Sequence, residues 1–562
     1  MVTFTQLADV YEKLEKTSSG NELRRIIAAF FKKVPKQEIG MITYLSTGRI
    51  AADFADINLG MASKMVLKSI ALAAQKEQAE VNNAYKKFGD VGKTAEHFVG
   101  KKRKHINVKQ VFETLHQIAR TSGKGSVEKK QQLLADLFHK ASPKEAKYIA
   151  RITLGTLRLG VAEATILDAL SLAYTGSKEA KKDLEHAYNI CPDIGIIAST
   201  FAKRKLKGIR TIGMALGRPI QVMLCQRIPQ LEHISSKMNF PVVVEEKYDG
   251  ERIQVHKKGN AITLFSRRLE DITNQFPDVV QAVKKQVKAK NIIFEGEALP
   301  VDKKGKLLPF QVLMQRRRKH DVEKYVKKVP IKLFVFDVLY KNGKSLIRQP
   351  YEKRYQLLKS SITGKGLITN TLQKKCKDVK CIEDLFQKVV KVGGEGVIIK
   401  DIKGEYQAGA RGWNWIKWKP EYSKKLRDTF DVVVIGAIRG RGRRAEVYGS
   451  LLCAVYNKKK DRFDSFTKVG TGFTDRVLAE LPKKLKKYLA KKRPARVAKP
   501  KLTPDVWFQP RMVIELAGTS ITKSPTHTAG YALRFPKFLR FRPDKKPEQA
   551  TSLKEILRMA QK

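Results

Sequence analysis

Within Val242 to Arg252, VVVEEKYDGER, the alternation of an extended strand places Glu245, Lys247 and Asp249 on one side before Gly250 turns the chain. A lysine flanked this way has two readings. It is a surface residue exchanging charge with its neighbours, or it is a nucleophile whose amine loses its proton under the influence of nearby cations or a metal ion. In FEGEAL, residues 294–299, the same period puts Glu295 and Glu297 on one face, either as surface acids or as oxygen ligands for a hard cation. EGVIIK, residues 395–400, opens with Glu395, but Gly396 interrupts the pleat, so alternation alone does not put Glu395 and Lys400 in one place. In WNWIKWK, residues 413–419, Trp413, Trp415, Lys417 and Lys419 share a face opposite Ile416 and Trp418. A cationic pair beside aromatic rings is more often a packed edge strand than a site. Walker A, HExxH, GxSxG and paired CxxC motifs are absent.

The order of these segments carries more than any one of them. K-x-D-G-x-R at Lys247 to Arg252 is followed by FSRR (265–268), FEGEAL, FVFDVLYKNG (334–343), EGVIIK, WNWIKWKPEY (413–422) and LRFPKFLRFRPDK (533–545). This series resembles the covalent nucleotidyltransferases, which include ATP-dependent DNA ligases, RNA ligases and mRNA capping enzymes. The resemblance implies that Lys247 is the nucleophile, that Glu245 reads the adenine edge and that Phe336 stacks on adenine, although on residue type alone Phe336 is equally a core ring. It implies phosphate or ribose contacts for Arg252, Arg267 and Arg411, and phosphate contacts for Lys417 and Lys419. Glu297 would contact ribose or metal-bound water and, with Glu395, hold Mg2+ or Mn2+. Arg542, Asp544 and Lys545 fit the motif that closes over ATP in the first step.

The N-terminal third separates the branches of this superfamily. ARITLGTLRLGVAEATILDALSLAY, residues 150–174, resembles the DNA-binding domain of archaeal and eukaryotic replicative DNA ligases, and GTLRLGVAE is its specific part. There Gly155 and Gly160 let backbone approach a duplex, and Arg158 reaches phosphates or the minor groove; the plainer reading is a helix–turn–helix corner packed for stability. Capping enzymes and small RNA ligases lack such a domain, and NAD-dependent ligases carry a four-cysteine zinc site that this chain lacks. ATP is therefore the expected cofactor, with ADP, GTP and NAD not distinguished. One departure falls at Val222-Met223-Leu224-Cys225, where relatives commonly read P-M-L-A.

The expected activity is nick sealing in duplex DNA during replication, repair and recombination, through lysyl-AMP and an adenylated 5′-phosphate. The resemblance covers nearly the whole chain, with archaeal single-subunit ligases nearest. An RNA-directed nucleotidyltransferase would need a different N-terminal domain. A non-catalytic DNA-packaging protein would not need Lys247, Glu297, Glu395, Lys417 and Lys419 together. Nicked double-stranded DNA is the expected partner. Some relatives also carry a clamp-binding segment, although none is assigned in this chain. A monomer is expected, since three domains suffice to encircle a nick.

The elements that must hold these residues are legible as texture. Up to about residue 205 apolar residues recur at helical spacing, as in NELRRIIAAFFKKV, and the Gly-rich, basic stretch 205–224 reads as a linker. Short β-branched runs between turn signals follow, with helical pieces between them, which reads as α+β. After about Lys424 strands continue between Gly turns, as in a small barrel. The expected fold is therefore multidomain: an all-α DNA-binding domain over 1–210, an α+β adenylation domain over 211–423 and an OB-fold β-barrel over 424–562. Residues 482–501 hold ten basic side chains and no acidic one, a solvated loop or part of a nucleic-acid groove.

The chain has 562 residues with 112 Lys+Arg against 55 Asp+Glu, a net charge of +57, and 42% hydrophobic content. Several packed cores are within reach and wholesale disorder is excluded. The excess charge points to a polyanion, nucleic acid before an anionic membrane. Five scattered cysteines fit neither a disulfide framework nor a zinc ribbon, which favours a reducing, intracellular compartment. No apolar run reaches membrane-spanning length, and the N-terminus carries no export signal.

Overall fold

The structure is a computed structural model that describes residues 1–100, 106–228, 230–316, 322–364, 366–419, 428–440, 447–518 and 520–560. The expected boundary at 423/424 and the last three residues of the 413–422 motif lie outside the described residues. The chain divides into two compact units, one of Met1–Asn82 with Val91–Tyr422 and one of Asn83–Asp90 with Ser423–Lys562.

The first unit opens with helices from Phe4–Glu15 to Ile194–Ile209. Their starts follow capping chemistry. Ser142 caps Pro143–Thr153 while the Glu145 carboxylate accepts from the Ser142 backbone N–H at 2.7 Å, so two otherwise unpaired donors are satisfied reciprocally. The loop after this helix turns outward at the three residues singled out above. Gly155, Arg158 and Gly160 have φ of +62°, +45° and +75° and are exposed, while Leu157 and Leu159 between them are buried at 4% and 2% exposure. Two apolar anchors thus hold Arg158 toward solvent.

The stretch expected as a linker is not a loose one. Its first residues complete the helix to Ile209. Ile220 and Met223 are then buried, and the Gln254 side chain bonds both backbone groups of Ile220, at 2.7 and 3.1 Å. Apolar residues and paired peptide groups fix this chain, which composition alone does not reveal.

Two sheets follow. In the five-stranded sheet, Val242–Glu246 is flanked by Gln373–Cys376 and Val397–Asp401, and the latter pairs with Arg411–Trp418. In the six-stranded sheet, Glu251–Lys258 lies between Ala261–Ser266 and Asn291–Pro300, and the latter pairs with Ile331–Lys341. Each sheet has its own apolar core. Cys376 and Cys381 form a disulfide with Cα atoms 5.5 Å apart, against the expectation from cysteine spacing: strand and helix meet so that a five-residue separation closes.

In the second unit, Asp428–Arg439 pairs with Tyr448–Asn457 on one side and Val513–Gly518 on the other. Arg462–Val469 and Lys537–Phe541 extend the two flanks. Phe538 N–H donates to Thr471 O at 2.9 Å, joining the two ends, and the helix Asp475–Lys486 intervenes in sequence. This is the connectivity of a partly open OB barrel. The basic stretch 482–501 is built into it: Leu485 and Val497 are buried, and Arg496 pairs with Asp461 and Glu548 at 2.6 and 2.8 Å. Among the described residues no helix is long and apolar enough to cross a membrane.

Candidate active site

The joint between the two sheets is where the chemistry collects. Val242–Glu246 belongs to one sheet and Glu251–Lys258 to the other, so Lys247 to Gly250 bridge them. Two glycines make the joint possible. A Cβ on Gly250 would lie 2.4 Å from Ala298 O, and one on Gly396, at φ +131°, would lie 2.2 Å from Trp418 O. The missing Cβ lets the Gly396 backbone pass close to Trp418, and the Gly396 carbonyl accepts from Lys247 N–H at 2.8 Å.

A cavity of about 230 Å³ opens here, lined among others by Glu245, Lys247, Arg252, Arg267, Glu297, Phe336, Arg411 and Lys417. Register explains the convergence. Ile398 is the cross-strand partner of both Glu245 and Lys417, which sets those two side chains in one row of the five-stranded sheet. Arg252 is opposite Glu297 in the six-stranded sheet. Phe336 falls at a bulge, since Glu295 pairs with Asp337 and Gly296 with Val335, and a bulge re-aims a side chain.

Lys247 donates to the Glu395 carboxylate, which also pairs with Lys419. Glu395 thus clamps two of the lysines that the sequence singled out. Burial lowers the Lys247 pKa, opposed by the Glu297 carboxylate, and burial likewise lowers that of Lys417, helped by Arg227. Glu297 is pushed up to about 7 by burial, against the pull of Lys247 and Arg252. Arg252 is held in place from inside: it donates to Met223 O and Glu295 at 2.8 and 2.7 Å, and Tyr406 donates to the same Glu295 oxygen at 2.8 Å. Burial opposes its charge, and Glu295 with Tyr406 more than restores it. Its guanidinium lies 5.2 Å from the Phe336 centroid.

Sequence reasoning missed Tyr351 and Gln373 beside Glu245. That carboxylate is 2% exposed and receives Tyr351, Gln373 and Lys400. Tyr351 stands on a helix and Gln373 on an edge strand, more than a hundred residues away, so no local period marks them. Cys225, at the departure noted above, also lines the cavity. Gly155, Arg158 and Gly160 lie elsewhere in this unit and do not line it. Arg542, Asp544 and Lys545 belong to the second unit, where Arg542 and Lys545 both bond Asp431, at 2.9 and 2.5 Å, and Arg542 bonds Asp544 at 2.7 Å. The Arg542 bond holds the Asp544 carboxyl well below its usual range.

Such a pocket suits a polyphosphate: cations surround one half-buried amine, an aromatic ring forms a wall, and two carboxylates face the same space. Family comparison agrees. The family described as "ATP dependent DNA ligase domain" matches residues 222–419, "DNA ligase N terminus" matches 3–171 and "ATP dependent DNA ligase C terminal region" matches 444–545. DNA ligase 1 of Methanosarcina acetivorans is 41% identical over 99% of both chains. DNA ligase 2 of Thermofilum pendens is 42% identical over 99% of this chain and 97% of its own. A solved structure, Pmar-Lig_Pre, shares the fold with a TM-score of 0.58 at 17% identity, over 96% of this chain and 99% of that one. With all three segments matched in order and near-complete coverage by such relatives, the chain belongs to the ATP-dependent DNA ligase family.

Proposed function

We propose that Lys247 is the residue that carries AMP. ATP-dependent DNA ligases seal nicks in duplex DNA through a lysyl-AMP intermediate and an adenylated 5′-phosphate, in replication, repair and recombination. On this reading the Lys247 amine attacks the α-phosphorus of ATP, a P–N bond forms, and the bond to pyrophosphate breaks. The amine, whose pKa burial lowers, gives up its proton to solvent as the bond forms. AMP then moves from Lys247 to the 5′-phosphate at the nick, and the 3′-hydroxyl displaces it. Covalent catalysis divides one difficult condensation into three displacements.

The observation that carries the proposal is the half-buried, pKa-lowered amine of Lys247 facing a cavity ringed by Arg252, Arg267, Arg411 and Lys417. Lys417 and the arginines offset negative charge on the phosphates, which is the main task of a nucleotidyl-transfer site. Phe336 forms a wall for the base and Glu245 faces its edge. Glu297 faces the cavity as an oxygen donor with a raised pKa, which fits a hard cation held jointly by carboxylate and phosphate oxygens. Glu297 and, after exchange of its lysine partners, Glu395 would hold Mg2+ or Mn2+, which supplies charge neutralisation on the phosphates. Among the described residues no group of three or more His, Cys, Asp and Glu side chains is placed to hold a metal ion.

Exposed Arg158, with Gly155 and Gly160, is read as a backbone contact for duplex DNA, and Arg542, Asp544 and Lys545 as a motif that acts in the first step only. The division 1–210, 211–423 and 424–562, a monomeric intracellular enzyme acting at the nucleoid, and a sliding clamp as a partner complete the reading. The test is incubation with ATP labelled at the α-phosphate and Mg2+. Wild-type protein should become labelled and Lys247→Ala should not; label on Lys247→Ala, or none on wild type, refutes the assignment.

A further inference from the structure

Glu245 has more donors than a base-reading carboxylate needs, and their arrangement leaves one choice of hydrogen positions. Gln373 Nε2 lies 2.5 Å from Glu245 Oε1 and 2.6 Å from the Tyr351 hydroxyl. Its two amide hydrogens serve these two oxygens, which fixes the amide orientation. Lys400 Nζ donates to the same Tyr351 hydroxyl at 2.9 Å and pairs with Glu245 Oε2 at 2.7 Å. The hydroxyl thus accepts twice, and its single proton goes to Glu245 Oε1 at 2.5 Å, with the Phe336 carbonyl farther away at 3.0 Å. Burial and the adjacent Glu245 charge keep Tyr351 protonated, as donation requires. Lys400 is 1% exposed, with Nζ 4.9, 4.5 and 4.6 Å from the ring centroids of Phe336, Tyr351 and Trp415. Aromatic faces replace the water that would otherwise compete for it.

The consequence is an acceptor with no freedom. Oε1 is filled by two donors, and Oε2 holds Lys400 and keeps one open lone-pair site. Since Glu245 lines the cavity, what docks there meets a fixed acceptor, both of whose oxygens already face donors. We infer that Tyr351, Gln373 and Lys400 are positioning residues that set base specificity, fixing Glu245 so that the pocket selects a purine with an exocyclic 6-amino donor over one with a 6-oxo acceptor. This rests on the proposal that the cavity binds ATP with its base edge at Glu245.

The mismatch has a known scale. A 6-oxo group would place two acceptors face to face, and a hydrogen bond to a charged group contributes about 1.5–3 kcal/mol, or roughly 10- to 100-fold. Tyr351→Phe and Gln373→Met each remove one fixed donor and let the carboxylate move. The test measures self-adenylation of the full chain against ATP and ITP, separating KM from kcat. Wild type should prefer ATP, and each variant should lose about tenfold of that preference, mainly through a higher KM for ATP. Equal loss with ATP and ITP would show a merely structural role and overturn the inference. Glu245→Gln separates the two levels. If it abolishes the preference while Tyr351→Phe and Gln373→Met retain it, the positioning role fails and the base-reading role stands. If wild type shows no preference, the base-reading premise itself fails.

Discussion

Substituting Glu297→Gln should stabilise this protein in alkaline, metal-free buffer while disabling it. Burial pushes the Glu297 carboxyl up to about 7, from an ordinary value of 4.5. A carboxyl raised in the folded state contributes stability when protonated, fully present below its ordinary range and lost as pH rises through about 7. Each tenfold change in proton affinity corresponds to about 1.4 kcal/mol, so keeping Glu297 ionised well above pH 7 costs on the order of 3 kcal/mol. Glutamine is a neutral near-isostere and escapes that cost. In EDTA, thermal unfolding of the variant should therefore exceed wild type by several degrees at pH 8.5, with the gap closing toward pH 5. In the same buffers with Mg2+ restored, self-adenylation of the variant should be severely impaired. A variant no more stable than wild type at pH 8.5, or a gap independent of pH, would refute the argument that this carboxylate is held against its own solvation for function.

Two other expectations follow from charge. If six to ten phosphates are neutralised on binding, affinity for nicked duplex should fall by roughly 10^3 to 10^5 between 50 and 200 mM salt in a titration; a flat profile would mean that most of the +57 charge does not face DNA. Glu295→Gln keeps an acceptor oxygen but removes the buried charge 2.7 Å from the Arg252 guanidinium, and breaking such a pair costs up to about 3–5 kcal/mol. A denaturant midpoint close to wild type would show that Met223 O and Tyr406 suffice.

The strand-borne part of the site was legible because a period of two is enough to put Glu295 beside Glu297 and Trp415 beside Lys417. Phe336 was ambiguous for a physical reason: its direction depends on a bulge, which adds a residue to one strand without any mark in its composition. Glu395 and Lys400 were not separable across Gly396, and the structure sends them to different partners, Lys247 and Glu245. Tyr351, Gln373 and Tyr406 were invisible because their value lies in where a helix, an edge strand and a loop return to the same point. The pairing of Arg542 with Asp431, 111 residues apart, is of the same kind. The stretch 205–224 read as a linker from its glycines and cations; that buried Ile220 and Met223 tie it down was not legible, because they carry no periodic signal.

The central claim is that one amine, on Lys247, carries the nucleotide between ATP and DNA. Wild-type protein treated with ATP and Mg2+, digested and mapped by mass spectrometry should bear AMP on Lys247 alone, and the modification should disappear on addition of nicked duplex as sealed product forms. AMP on any other residue, or an adenylate that persists while nicks are sealed, would contradict it.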